Sequence, residues 1–196
     1  MGATDDNLTP DYTVKRIRHG IKFTDRSSKQ VALVTGSGIY TNTYDILDAE
    51  GKSAGLMRGV GGLQSPVMWT VNQGWTLKLY DSKNTDQNGA IELNIINLRN
   101  IELKLSEKGN LIAKLSSTAK ISVLPHNPQN IGNFIMTDAK GQKIAEVNRV
   151  LSGNPIKKFI QFISNMGEYS IILADKRVKL LTIVKLVSGL IILVGK

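Results

Sequence analysis

Residues 178–194 constrain this chain more than any other part of it. Twelve of these seventeen positions are aliphatic, and no polar face develops at a helical period. A helix of that kind has to be covered on every side, by protein or by lipid. Length and charge separate the two. The longest uncharged stretch, residues 186–195, is about ten residues, whereas a membrane span needs roughly twenty. Lys185 would also sit near mid-span, at about 2.5–3.5 kcal/mol on insertion scales. Gly189 weakens a continuous helix. The favoured reading is a helix over residues 176–187, buried by the rest of the chain, with a last strand near residues 190–194. A membrane tail anchor is the alternative. At 196 residues, 41 % of them hydrophobic, the chain can bury a sizeable core as one domain.

Upstream, alternation with a period of two dominates. The odd positions of residues 75–80 are apolar, and Ile101, Leu103 and Leu105 alternate with Asn100, Glu102, Lys104 and Ser106. Residues 31–35, 40–47, 90–97, 111–116, 120–124, 134–137, 144–150 and 169–173 behave alike, and Gly, Asn, Asp and Ser punctuate them as hairpins require. One turn recurs: Asp48-Ala49-Glu50-Gly51-Lys52 and Asp138-Ala139-Lys140-Gly141-Gln142, with Ser106-Glu107-Lys108-Gly109-Asn110 as a looser copy. The Gly supplies positive φ and the Asp accepts N–H groups of its own turn, so these carboxylates read as turn formers and not as metal ligands. Residues 154–167 break the rhythm. Ile156, Phe159, Ile160 and Ile163 share one helical face, Lys157 and Lys158 lie on the other, Asn154 caps and Pro155 starts. This short amphipathic helix covers the open end of a core or lies in a membrane interface.

The formal charge is +9 and unevenly spread. Residues 1–11 hold Asp5, Asp6 and Asp11 and no base, which reads as a disordered acidic tail ahead of a single domain over residues 12–196. Residues 12–30 hold Lys15, Arg16, Arg18, Lys22, Arg26 and Lys29 against Asp25, and residues 31–138 are neutral. From residue 139 on, ten bases face Glu146, Glu168 and Asp175. If the two basic ends of the sequence meet in space, they form a face that attracts phosphate, on a membrane or on nucleic acid. Otherwise they are a solvated surface that maintains solubility. The opening residues show neither a basic n-region nor an apolar h-region, so the expectation is a cytoplasmic protein with peripheral membrane contact.

Catalytic equipment is sparse. With no Cys, disulfides, thiolate metal sites and thiol nucleophiles are excluded. The two histidines, His19 and His126, stand far apart. The glycine turn at residues 32–38 fails as a dinucleotide fingerprint, because Thr41 holds the third glycine place and strand alternation follows. Gly51-Lys52-Ser53 ends like a phosphate-binding loop, but Ile46 stands where its leading Gly belongs. The chain is therefore expected to be no enzyme and to need no cofactor or metal.

About ten short hairpin strands, turns such as Tyr44-Asp45-Ile46-Leu47-Asp48-Ala49-Glu50-Gly51-Lys52, and Ile171-Ile172-Leu173-Ala174-Asp175-Lys176-Arg177 running into a wholly apolar helix form one pattern. It resembles the tubby C-terminal-like superfamily, which includes phospholipid scramblase-like and LURP-one-related proteins. The resemblance implies a mainly β fold: a closed antiparallel barrel of about twelve strands around the buried C-terminal helix, over residues 12–196. It also implies a non-enzymatic module that docks on anionic, phosphoinositide-like headgroups. Two departures, the lack of a Cys-rich palmitoylation segment and of an acidic calcium segment beside the helix, speak against lipid transport and leave headgroup binding. The candidate phosphate ligands are Lys15, Arg16, Arg18, Lys157, Lys158, Lys176, Arg177 and Lys179. Two other readings stay open: nucleic-acid binding through the same bases with Tyr40, Trp69 or Trp75 stacking, and a structural module that binds a protein partner.

Overall fold

The computed structural model describes residues 9–36, 42–60, 75–83, 86–97, 100–118, 133–150 and 168–194. They form twelve strands and one helix: β1 (Tyr12–Ile17), β2 (Gly20–Asp25), β3 (Gln30–Gly36), β4 (Thr43–Asp48), β5 (Ser53–Val60), β6 (Trp75–Tyr80), β7 (Gln87–Asn97), β8 (Asn100–Glu107), β9 (Asn110–Ser117), β10 (Asn133–Asp138), β11 (Lys143–Val150), β12 (Glu168–Leu173) and α1 (Leu180–Val194). Each strand pairs antiparallel with the next. β1 also pairs with β12, through Tyr12↔Ile171 and Lys15↔Glu168, so the sheet closes into a barrel without edges.

Period-two alternation turns every second side chain inward. Val14, Phe23, Val34, Met57, Leu77, Leu103, Leu115 and Met136 are completely buried there. α1 fills the remaining space. Ile183, Val184, Leu186, Ser188, Ile192 and Leu193, which are spread around its axis, are each 5 % exposed or less. The dimensions agree. Twelve strands about 4.8 Å apart, tilted by about 40°, enclose a cylinder of roughly 12 Å radius. That leaves close to the 8–10 Å or so that packed elements keep between axes. A 15-residue helix is about 22 Å long, and an eight-residue strand such as β9 reaches about 20 Å along the same axis.

The apolar tail differs from the expectation at both ends of its helix. α1 runs unbroken through Gly189 to Val194, so residues 190–194 are helix and not a strand, and it begins at Leu180 rather than at residue 176. Gly189 does not end the helix because it faces the wall: a Cβ there would stand 3.1 Å from Ile91 Cγ2 and 3.5 Å from Leu103 Cδ2. The missing side chain lets α1 lie close to β7, β8 and β9. Residues 176–178 instead make a turn, in which Asp175 accepts the Arg177 N–H at 2.9 Å.

The turns explain the rest of the frame. Asp48 accepts N–H bonds from Glu50 and Lys52, both at 2.9 Å, and Asp138 accepts them from Lys140 at 2.9 Å and Gln142 at 2.8 Å. The φ angles of Gly51 and Gly141 are +79° and +82°. An unread copy stands at β2–β3, where Asp25 accepts from Ser27 at 2.9 Å and Lys29 at 3.0 Å. Its fourth residue, where the other copies have Gly, is Ser28, at a φ of +64°, a conformation that favours glycine. The looser copy is a different turn: Glu107 pairs with Asn110 across two residues, Lys108 and Gly109, at φ +49° and +78°, and the Glu107 carboxylate receives Lys185 Nζ of α1 at 2.6 Å. Lys185 leans back toward the helix N-terminus, as helical side chains do, and only 9 % of its side chain is exposed.

Three strands escaped the alternation reading. In β5, Gly55 at φ +149° lies beside a register shift between Ile46 and Leu47, and Leu56, on the outer face opposite Asp45 and Tyr80, is only 9 % exposed, so the burial pattern shows no alternation next to inward Met57. In β1, an inward position is held by Arg16, and in β2 only Ile21 and Phe23 carry the pattern. Asp11, assigned above to the tail, is fastened to the barrel: its N–H bonds Ile171 O at 2.8 Å and its carboxylate accepts Leu173 N–H at 2.8 Å. The strand expected at residues 120–124 and the amphipathic helix at 154–167 lie outside the described residues.

Two outcomes follow for stability. Ser28→Gly relieves the left-handed serine and raises the unfolding free energy by about 0.5–1 kcal/mol. Glu107→Ala strips an enclosed ammonium of its counter-ion and lowers it by about 1–3 kcal/mol, whereas Lys185→Met is neutral or stabilising. Midpoints of urea denaturation at unchanged slope read both effects.

Candidate functional site

Antiparallel order sorts the connections to the two ends of the barrel. The β2–β3, β4–β5, β6–β7, β8–β9 and β10–β11 turns and the β12–α1 link share the end where the helix enters. The β1–β2 turn lies at the opposite, far end, together with the β11 terminus Val150 and its partner Glu168.

At the entry end, charge is matched locally. Arg26 meets Asp11 at 2.7 Å, Lys52 meets Glu50 at 2.6 Å, and Arg177 meets Asp175 at 2.9 Å. Hydrogen bonds from the Arg177 side chain hold Asp175 below the usual carboxylate range, and the same contact raises Arg177. Lys176 and Lys179 are exposed beside them. An open depression of about 310 Å³ lies here, lined by Asp11, Tyr12, Asp25, Arg26 and Ser27, but its two carboxylates already accept bonds from Arg26, Ser27 and the backbone.

The far end differs. Lys15 and Lys22 stand directly opposite each other on the outer wall of the β1–β2 hairpin, a like-charge pair. Lys15 is relieved by Glu168 at 2.5 Å. Arg18 and His19 form the exposed turn. Ile17, between Arg16 and Arg18, is 40 % exposed. The tight base of this hairpin depends on Gly20, where a Cβ would stand 2.1 Å from Val34 O.

Inside the far mouth, Arg16 continues the inward series of Tyr12 and Val14, and Arg149 continues Ala145 and Val147. Tyr169 of β12 lies between their strands, opposite both Val14 and Arg149, and is 4 % exposed. Burial raises Tyr169 and Tyr44 above the ordinary tyrosine value, while the positive charge of Arg16 pulls against this at both and that of Arg149 does so at Tyr169. Burial also draws Arg149 down from the usual arginine value. α1 points its C-terminus, the negative end of its dipole, toward this mouth.

The expected ligands therefore do not form one face. Lys15, Arg16 and Arg18 belong to the far end, and Lys176, Arg177 and Lys179 to the entry end, separated by the length of β1, about 17 Å. Lys157 and Lys158, like Tyr40, Trp69 and His126, lie outside the described residues, and Trp75 opens β6. The sequence reading missed Lys22, Arg149 and the tyrosines. Its usable signal was a charged residue on the inward parity at a strand end. Among the described residues there is no group of three or more His, Asp or Glu able to hold a metal ion, and no helix long and apolar enough to cross a membrane.

No family model matches the chain, and no curated protein does. It is similar to the X-ray structure of a protein from Arabidopsis thaliana, AT5G01750. The two are 14 % identical, the match covers 54 % of this chain and 71 % of that one, and the TM-score is 0.27. The closed barrel therefore rests on its own strand pairing and not on this likeness.

Buried Tyr169 and half-buried Tyr44 give a direct test. Raised pKa values mean that the fold favours the neutral phenol, so this contribution to stability is complete below the ordinary tyrosine pKa and lost as pH rises through the folded values. In a tyrosinate absorbance titration, Tyr44→Phe and Tyr169→Phe should each remove a late-ionising component.

Proposed function

We propose that this chain is a non-enzymatic binding module of tubby-like, scramblase-related type, and that it docks reversibly on anionic phospholipid surfaces through the β1–β2 hairpin. One observation carries the reading: Ile17, an exposed apolar side chain, is set between Arg16 and Arg18 at a hairpin tip whose wall presents Lys15 and Lys22. Bases near an anionic leaflet contribute about 1 kcal/mol each, and an apolar side chain beside them reaches below the headgroups. Lys176, Arg177 and Lys179 belong to a separate surface in this reading, at the end where carboxylates balance much of the positive charge.

Co-sedimentation with phosphatidylserine-containing vesicles tests it. Binding should fall as salt rises and be lost in Arg18→Glu/Lys22→Glu, while Lys176→Glu/Lys179→Glu behaves as the unmodified chain. Equal binding to neutral vesicles, or none to anionic ones, defeats the proposal, and a salt-dependent mobility shift with nucleic acid in the latter case transfers the surface to that partner.

A further inference from the structure

The large hydrophobic side chains exposed among the described residues are Ile17, at 40 %, and Val150, at 43 %. They come from sequence positions more than a hundred residues apart, yet the barrel sets both at its far end. Ile17 ends β1, and Val150 ends β11 opposite Glu168, the residue that also faces Lys15. Only β12 separates the two strands, so their backbones stand about 10 Å apart. Both are outward positions, since Arg16 and Arg149 beside them take the inward parity.

Charge selects the same end. Among the described residues, Arg18 and Lys22 flank Ile17 on the β1–β2 hairpin, and the carboxylate between Ile17 and Val150 on the outer wall, Glu168, bonds Lys15. The middle of the outer wall carries paired charges instead, with Glu102 shared by Lys104 at 3.3 Å and Lys114 at 3.9 Å. A side-on approach would bring such pairs, still hydrated, against the headgroups without an apolar anchor. An entry-end approach would bring the Asp turns and their ion pairs.

We infer that the barrel meets an anionic lipid surface end-on, with α1 roughly along the membrane normal, and that Val150 is a second apolar anchor beside Ile17. This rests on the docking reading above and adds the orientation and the partner residue. The anchors are rigid because each closes a paired strand, so they enter the interface together and not as one flexible loop.

The chain contains no Cys, so single cysteines can be introduced for an environment-sensitive fluorophore without removing any. Labels at Ile17→Cys and Val150→Cys should brighten and shift to the blue on phosphatidylserine vesicles, and labels at Glu92→Cys on the side wall and Lys140→Cys at the entry end should not. Ile17→Ser/Val150→Ser should weaken vesicle binding by roughly ten-fold, more than either single change. A melting temperature measured in parallel separates lost anchoring from lost folding. Vesicle binding with a response at residue 92 or 140, or with none at residue 150, overturns the end-on arrangement while leaving docking intact. Absence of vesicle binding by the unmodified chain overturns both.

Discussion

A helix without a polar face exists in water only when something else presents polar surface on its behalf. Here that requirement is met by a closed sheet, and most other features answer to it. The wall must be wide enough for a helix and its side chains, which calls for about twelve strands. Its inner positions must be apolar, which the alternation of β1 to β12 provides. Its strands must match the helix in length, and the helix must approach one side closely, which Gly189 permits against Ile91 and Leu103. The single charge on the buried part of the helix, Lys185, is tolerable because its chain reaches back to Glu107 at the rim.

Much of this frame was legible in the residues. Regular alternation located β6, β8 and β9 almost to their ends, because each has one face on the core and one in water. The all-round apolar segment announced its own burial. What stayed hidden has local physical causes. Leu56 is nearly buried on the outer face of β5 beside inward Met57, Ser28 occupies a turn position where glycine is the usual sign, and Gly189 looks like a helix stop until the wall it faces is known. Glu107 resembles a turn residue in sequence and is an ion-pair partner in space. Gly189 and Glu107 depend on contacts between α1 and strands distant in the chain.

The candidate site was less legible than the fold. Counting charge along the sequence placed the excess at two ends of the chain, but not at the two ends of a cylinder. Strand direction decides that: β1 and β12 are antiparallel, so the bases that follow β1 and those that follow β12 point away from each other. Arg16 and Arg149 were unremarkable as residues of a basic stretch. They gain meaning from parity, since both occupy inward positions at the mouth toward which the helix dipole points.

The order of manufacture bears on how such a molecule assembles. The seam that shuts the cylinder joins Tyr12 to Ile171, and the plug follows only after that. On a ribosome, a nearly complete wall would therefore wait with its greasy lining uncovered until α1 clears the exit tunnel. Contacts this distant in sequence make for slow closure and leave a period of exposure to aggregation. The short aspartate-locked hairpins hold neighbouring strands in register during that wait, and so favour correct sealing once the plug arrives.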